Sequence, residues 1–134
     1  MGYIEWVPAL SVGIPEIDAQ HQKLIALINA LEEARKGMQS RERLGAALHA
    51  LGDYTKEHFA LEEKLLTENS YPETREHKAE HALFIERIDA FCAGFESGKA
   101  QVDLELLSFL KAWLTRHISF TDKKYRRHLA SRPR

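Results

Sequence analysis

Apolar residues recur every three or four positions in four long segments of the chain, the spacing that lines one face of an α-helix. The first helix is predicted over 16–36. Pro15 stands at its start, Glu16 and Asp18 complement its positive end, and His21, Leu24, Ile25, Ile28 and Leu31 share one face before Gly37 closes it. A second helix, over 41–67, follows Ser40 and turns Leu44, Leu48, Leu51, Tyr54 or Thr55, His58, Glu62 and Leu65 inward. Glu68-Asn69-Ser70 breaks that pattern and Pro72 restarts it. The third helix, over 72–97, carries His77, His81, Phe84, Ile88, Phe91 and Phe95 in one stripe and ends at Gly98. The fourth, over 103–128, carries Leu106, Leu110, Trp113, Leu114 and His117. Residues 1–15, with Pro8, Gly13 and Pro15 among scattered apolar positions, read as an extended arm. No segment alternates with period two. The fold class predicted is all-α: an antiparallel up-down-up-down four-helix bundle, a single domain over 1–134.

Composition narrows the function. Hydrophobic residues form 44% and charged residues 29% of the chain, as in ordinary globular domains. Nineteen Lys and Arg against twenty Asp and Glu give a net charge of -1, which offers no basic surplus for nucleic acid. No apolar run reaches the roughly 20 residues of a membrane span, and no signal-peptide pattern opens the chain. One cysteine, Cys92, excludes an internal disulfide and points to the reducing cytoplasm. The seven histidines are the unusual feature.

His58-x-x-x-Glu62 and His77-x-x-x-His81 are i,i+4 pairs, so each sets two donor groups on one helix face. Those faces are the predicted core stripes. His21 lies in phase with the apolar residues of the first helix, and His117 with those of the fourth. Asp122 follows His117 by five positions, about 140° away on an ideal helix, so a shared target needs a local bulge. Any one of these histidines alone would read as a hydrogen-bonded core residue. Six in-phase donors on four converging helices read as a metal site, because burying so many imidazoles and carboxylates without a compensating charge is costly. The donor set excludes a four-ligand cysteine zinc site and the oxygen sites of calcium or magnesium, and suits two borderline transition metals. Without metal, protonation of the histidines below about pH 6 is expected to leave unpaired buried charge.

The chain resembles the bacterial members of the hemerythrin family over nearly its whole length. The matching stretches are Ile17-Asp18-Ala19-Gln20-His21, His58-Phe59-x-x-Glu62-Glu63, Tyr71-Pro72 with His77-x-x-x-His81, and Trp113-Leu114-x-x-His117-Ile118-x-x-x-Asp122-x-x-Tyr125. The resemblance implies two iron ions as cofactor, Fe2+ or Fe3+, with a bridging oxo or hydroxo ligand. His77, His81 and His117 would bind one iron, His21 and His58 the other, and Glu62 and Asp122 would bridge the pair. Counting donors leaves one open position on the second iron, facing the apolar core, where dioxygen would bind. Leu24, Ile25, Trp113, Leu114 and Ile118 are the expected lining of that oxygen pocket. Trp6 in the arm is expected to pack on the bundle, as the corresponding segment of the family does.

The function expected is therefore reversible dioxygen binding for carriage, storage or delivery, without catalysis. The alternative is an oxygen or redox sensor; a di-iron peroxidase, nitric-oxide or iron-handling role ranks third, since Tyr54 and Glu63 are the only further acid or base groups near His21 and His58. Expected partners are dioxygen and an oxygen-consuming recipient protein, with no nucleic acid, no membrane span and a monomeric chain. Met1 and the arm suggest a free-standing protein. His49 and His128 are expected at the surface and Cys92 as a small packed side chain. The six Lys and Arg between Lys123 and Arg134 are read as complementing a helix C-terminus.

Overall fold

A computed structural model describes residues 3–99 and 101–131. Helix α1 spans Pro15–Lys36, α2 Arg41–Glu68, α3 Thr74–Glu96 and α4 Leu104–Arg116. A π-helical segment, His117–Asp122, carries the chain without a break from α4 into α5, Lys123–Ser131. No strand occurs among the described residues. The short connections make successive helices antiparallel, and the four rods form the expected bundle.

Local chemistry sets the helix ends. The Ser40 hydroxyl accepts from the Arg43 backbone N–H at 3.2 Å and the Asp103 carboxylate accepts from that of Leu106 at 2.9 Å, so each satisfies a donor that helix geometry leaves free. The third helix starts two residues later than the sequence suggests. Pro72 sits in a turn instead of the first helical position, and the Thr74 hydroxyl donates to the Tyr71 carbonyl at 2.6 Å. Gly98 takes a φ of +80° just beyond the end of α3, a conformation that favours glycine. Where α2 crosses α3, Gly52 lets the backbone approach Ile88: a Cβ added there would stand 3.1 Å from its Cγ2.

The arm differs from a plain extended segment. Pro8–Leu10 forms a 3₁₀ turn, and Ile4, Leu10 and Val12 are buried against the helices. Asn29 fixes it by accepting from the Ile4 backbone N–H (2.8 Å) and donating to its carbonyl (2.9 Å). Asp18 takes the Val12 N–H at 2.8 Å and the Ser11 hydroxyl. Trp6 packs on the core as expected. Met1, Gly2, Arg132 and Arg134, part of the arm and tail readings, lie outside the described residues.

Leu31, Leu48, Leu51, Ile88, Leu106, Leu107 and Leu110 fill one end of the interior. At roughly 1.5–3 kcal/mol for each fully buried aliphatic side chain, they are a main source of the bundle's stability. Toward the other end the same interior turns polar, and a smaller apolar cluster of Val12, Ile17, Leu66, Tyr71 and Tyr125 closes it beyond.

Candidate metal centre

All seven candidate ligands converge at that end: His21, His58, Glu62, His77, His81, His117 and Asp122 are each at most 2% exposed. The i,i+4 pairs do what their spacing requires, turning both members of each pair into the bundle axis. Asp122 arrives through the π segment, whose extra residue per turn lets His117 and Asp122 face the same point. Their facing atoms, His117 Nε2 and Asp122 Oδ1, lie 3.0 Å apart.

The contacts divide the histidines into two sets. Glu62 Oε1 faces His77 (2.7 Å), His81 (3.0 Å) and, further off, His117 (3.8 Å). Its other oxygen, Oε2, faces His58 (3.2 Å) and His21 (3.6 Å). Asp122 repeats the division: Oδ1 faces His77 (3.1 Å) and His117, and Oδ2 faces His21 (3.1 Å). Every one of the five rings presents Nε2 to a carboxylate. Donor atoms within each of two groups, Glu62–His77–His81–His117–Asp122 and His21–His58–Glu62, all lie within 4.8 Å of one another.

Several of these atoms lack a hydrogen bond despite full burial: His21 Nε2, and both Asp122 oxygens. Buried polar atoms are nearly always satisfied, so orphans clustered at one point call for another partner. A cation meets that demand with this donor set of imidazoles and carboxylates. The residues fit a metal.

Charge also couples the rings and carboxylates of the cluster. Burial alone would lower the pKa of His21 and His77, but the negative charge of the Asp122 and Glu62 carboxylates standing against their Nε2 atoms outweighs it and raises both to about 9. His117 is raised for the same reasons. Burial opposes ionisation of Glu62 and Asp122, yet the surrounding imidazoles hold both carboxyls below their ordinary range. Tyr125, fully buried, donates its hydroxyl to Glu62 Oε2 at 3.2 Å, and burial beside two carboxylates pushes its pKa up. The expectation that protonation would leave unpaired buried charge is corrected: each ring stands directly against a carboxylate that would pair with it.

On the far side of the rings, Nδ1 finds other acceptors. His58 Nδ1 lies 2.6 Å from Gln20 Oε1, His81 Nδ1 2.9 Å from Glu63 Oε2, and His117 Nδ1 2.8 Å from Glu80 Oε1. Thr121, inside the π segment, donates its hydroxyl to Glu80 (2.9 and 3.0 Å to the two oxygens). The hydrogen bond from His117 is the main reason that the Glu80 carboxyl titrates low. Sequence reasoning found none of Gln20, Glu80 and Thr121. One signal was available: Gln20, Glu63 and Glu80 each adjoin a cluster residue in sequence and reach a ring on a neighbouring helix.

Phe59 and Trp113, which stack on His81 and His117, also wall an apolar cavity of about 10 Å³, at the lower limit for a single water, that no cluster residue lines. Leu24, Trp113 and Leu114, three of the five residues expected around an oxygen pocket, line it together with Ile28, Leu51, Thr55, Phe59 and Phe84. Ile25 and Ile118 are buried in the core but not on its wall. The Thr55 hydroxyl donates to the Leu51 carbonyl at 2.7 Å, so its polar group is satisfied within its own helix. Phe59 stacks on His81 (3.7 Å between centroids, 2° between planes), and Trp113 on His117 (4.5 Å, 12°). Two cluster rings are thereby backed by aromatic faces.

The remaining histidines stand apart. His49 is half exposed and its Nε2 lies 2.6 Å from Glu96 Oε1. His128 is less free than expected for a surface residue: its Nε2 lies 3.1 Å from the Asn69 carbonyl oxygen and its ring contacts Tyr71. Cys92 is a free, half-buried thiol packed on the core.

Fold and site together define a four-helix bundle built around a buried histidine–carboxylate cluster able to hold metal. The Hemerythrin HHE cation binding domain matches residues 12–129, and the chain belongs to the hemerythrin family. It is 38% identical over 125 residues to a bacteriohemerythrin of Stenotrophomonas maltophilia (strain R551-3), covering 93% of this chain and 80% of that one. A bacteriohemerythrin of Methylococcus capsulatus (strain Bath) is 30% identical over 130 residues, covering 93% and 95%. Among solved structures, a wild-type hemerythrin matches with a TM-score of 0.89 at 30% identity, over 96% of this chain and 99% of that chain. No helix among the described residues is long and apolar enough to cross a membrane.

Proposed function

We propose that the cluster holds two iron ions and that the protein binds dioxygen reversibly, for carriage, storage or delivery. His77, His81 and His117 would hold one ion and His21 and His58 the other. Glu62 and Asp122 would serve both. The observation that carries this reading is the division of each carboxylate, one oxygen toward each histidine set. A pair of ferrous ions would supply the two electrons that reversible dioxygen binding draws on.

The chain's own residues would do the rest. Tyr125 steadies the Glu62 carboxylate from outside the cluster. Leu24, Phe59, Trp113 and Leu114 keep water from the cavity, which slows loss of the bound gas as a solvated anion. No acid or base lines that cavity, which favours binding over catalysis. In this reading the chain is one monomeric domain in the reducing cytoplasm, passing dioxygen to an oxygen-consuming protein.

Anaerobically reduced, iron-loaded protein taken through repeated addition and removal of oxygen tests the proposal. Two irons per chain and an optical spectrum that appears and vanishes with each cycle are expected. Fewer than two irons, or a spectrum that changes once and stays, overturns it.

A further inference from the structure

The groups behind the rings differ between the two histidine sets. In the three-histidine set, two rings donate outward to carboxylates: His81 to Glu63 at 2.9 Å and His117 to Glu80 at 2.8 Å. In the two-histidine set, His58 donates to Gln20, whose side chain is neutral, at 2.6 Å, and His21 Nδ1 has no hydrogen-bond partner. His77 Nδ1 likewise has none, so the asymmetry rests on Glu63 and Glu80.

Such outward partners matter because they fix the tautomer and orientation of a ligating ring and raise its basicity. A hydrogen bond to a carboxylate is roughly twice as strong as one to a neutral amide and leaves more electron density on Nε2. Glu80 is also fixed in place. Thr121 donates to its carboxylate from within the π segment that carries His117 and Asp122, so one carboxylate braces the ring and the backbone that presents it. Gln20 has no comparable carboxylate to offer His58.

We infer that the two halves of the cluster hold metal unequally, with Glu63 and Glu80 acting as positioning residues that tighten the His77–His81–His117 half. The inference rests on the two-iron reading above. It places the exchangeable ion beside His21 and His58, while the braced half retains its own.

The test is release of iron from the loaded, anaerobically reduced protein into excess ferrous chelator, followed by the colour of the chelate. Two phases of equal amplitude are expected, at least tenfold apart in rate. Glu63→Gln and Glu80→Gln should each accelerate the slow phase by about 10–100-fold and leave the fast one unchanged, the usual scale for losing such a partner. Gln20→Glu should slow the fast phase. Thr121→Val, which keeps the Glu80 charge but loosens it, should accelerate the slow phase by less than Glu80→Gln. Far-UV circular dichroism checks that each variant remains helical. A single release phase in the parent overturns the inference, as do carboxylate variants that speed both phases equally or neither. A difference arising from donor number alone would leave the slow phase indifferent to Glu63 and Glu80. A parent that never carries two irons defeats the two-iron reading instead, so the two failures are distinguishable.

Discussion

At one end of the bundle Leu31, Leu48, Ile88, Leu106 and Leu107 meet in an apolar core; at the other, five imidazoles and two carboxylates occupy equivalent interior positions. The same four helices supply both ends, with the same stripe spacing. The apolar end gains free energy from burial whatever else is bound. The polar end loses solvation on burial and recovers it through ion pairs and, in the proposed function, through metal. The contrast teaches that one continuous helical pattern can contain a self-sufficient apolar half and a polar half whose donor groups could hold a metal.

Metal removal should separate the ends most. Two ions, each at a free concentration near a thousandfold its dissociation constant, would stabilise the fold by about 4 kcal/mol apiece. Stripping them should lower the melting temperature by roughly 25–35 °C. Hydrogen exchange should locate the loss around His58–Glu62, His77–His81 and the π segment, while amides near Leu48 and Leu106 stay protected. Uniform loosening of both ends would erase the comparison.

Two leucines one turn apart on α4 sharpen it. Leu110 and Leu114 are both buried, at 0% and 4% exposure, but only Leu114 lines the cavity beside the rings. Truncating either to Ala should cost roughly 2–5 kcal/mol by calorimetry or denaturant titration. Leu114→Ala should in addition admit water beside the cluster, so the oxygenated protein autoxidises faster while still loading two irons. Leu110→Ala should leave that rate unchanged. Equal autoxidation rates in parent, Leu110→Ala and Leu114→Ala would remove the oxygen site from this cavity.

The third separation appears in pH. In the metal-free protein His21 and His77 titrate near 9, above their ordinary 6.5, so their stabilisation is complete below about pH 6.5 and lost as pH rises through 9. Glu62 and Asp122 titrate low, so their contribution is present above pH 4–5 and lost on acidification. The melting temperature of the metal-free protein should therefore fall between pH 6.5 and 9, at up to about 1.4 kcal/mol per pH unit for each proton involved. Metal-loaded protein should not fall in that range, because ligating rings are already deprotonated. Parallel pH profiles for the two forms would contradict the pairing of these rings with the carboxylates.

Most of the bundle and the inward placement of the candidate histidines and Glu62 were legible because both obey the helical period. His58, Glu62, His77 and His81 could be placed inward from spacing alone, and Gly37 and Gly98 marked helix ends correctly. Asp122 was legible only as a request for a bulge, which the π segment supplies. The start of α3 was displaced because Pro72 suits both a first helical turn and the tight turn that it occupies. Gln20 and Glu80 escaped assignment, and Glu63, expected near His21 and His58, stands against His81 instead, because these roles depend on how adjacent helices are rotated, a property of packing that no single helix records. Of the predicted lining, Leu24, Trp113 and Leu114 reach the cavity because they face the bundle axis at its level. Ile25 and Ile118 are buried on other contacts of their helices.

The smallest effect compares one hydrogen bond at each end. Ser40 caps α2 at the apolar end through its 3.2 Å contact with the Arg43 N–H, and Thr121 steadies Glu80 at the polar end. Ser40→Ala should cost about 1 kcal/mol, the usual value of such a cap. Thr121→Val removes a hydroxyl of comparable worth, about 0.5–1.5 kcal/mol. The cap lies far from the cluster in the bundle, so its cost should be the same with and without metal. The Thr121 hydroxyl acts on His117 through Glu80, so its removal weakens the grip on metal as well as the local fold. Its cost should consequently be larger in the metal-loaded protein than in the metal-free one. Paired melts of both variants in both states measure this as a double-mutant-style difference. A Thr121→Val penalty that is indifferent to metal would show that the Glu80 brace supports the helix alone and leaves the ring to hold itself.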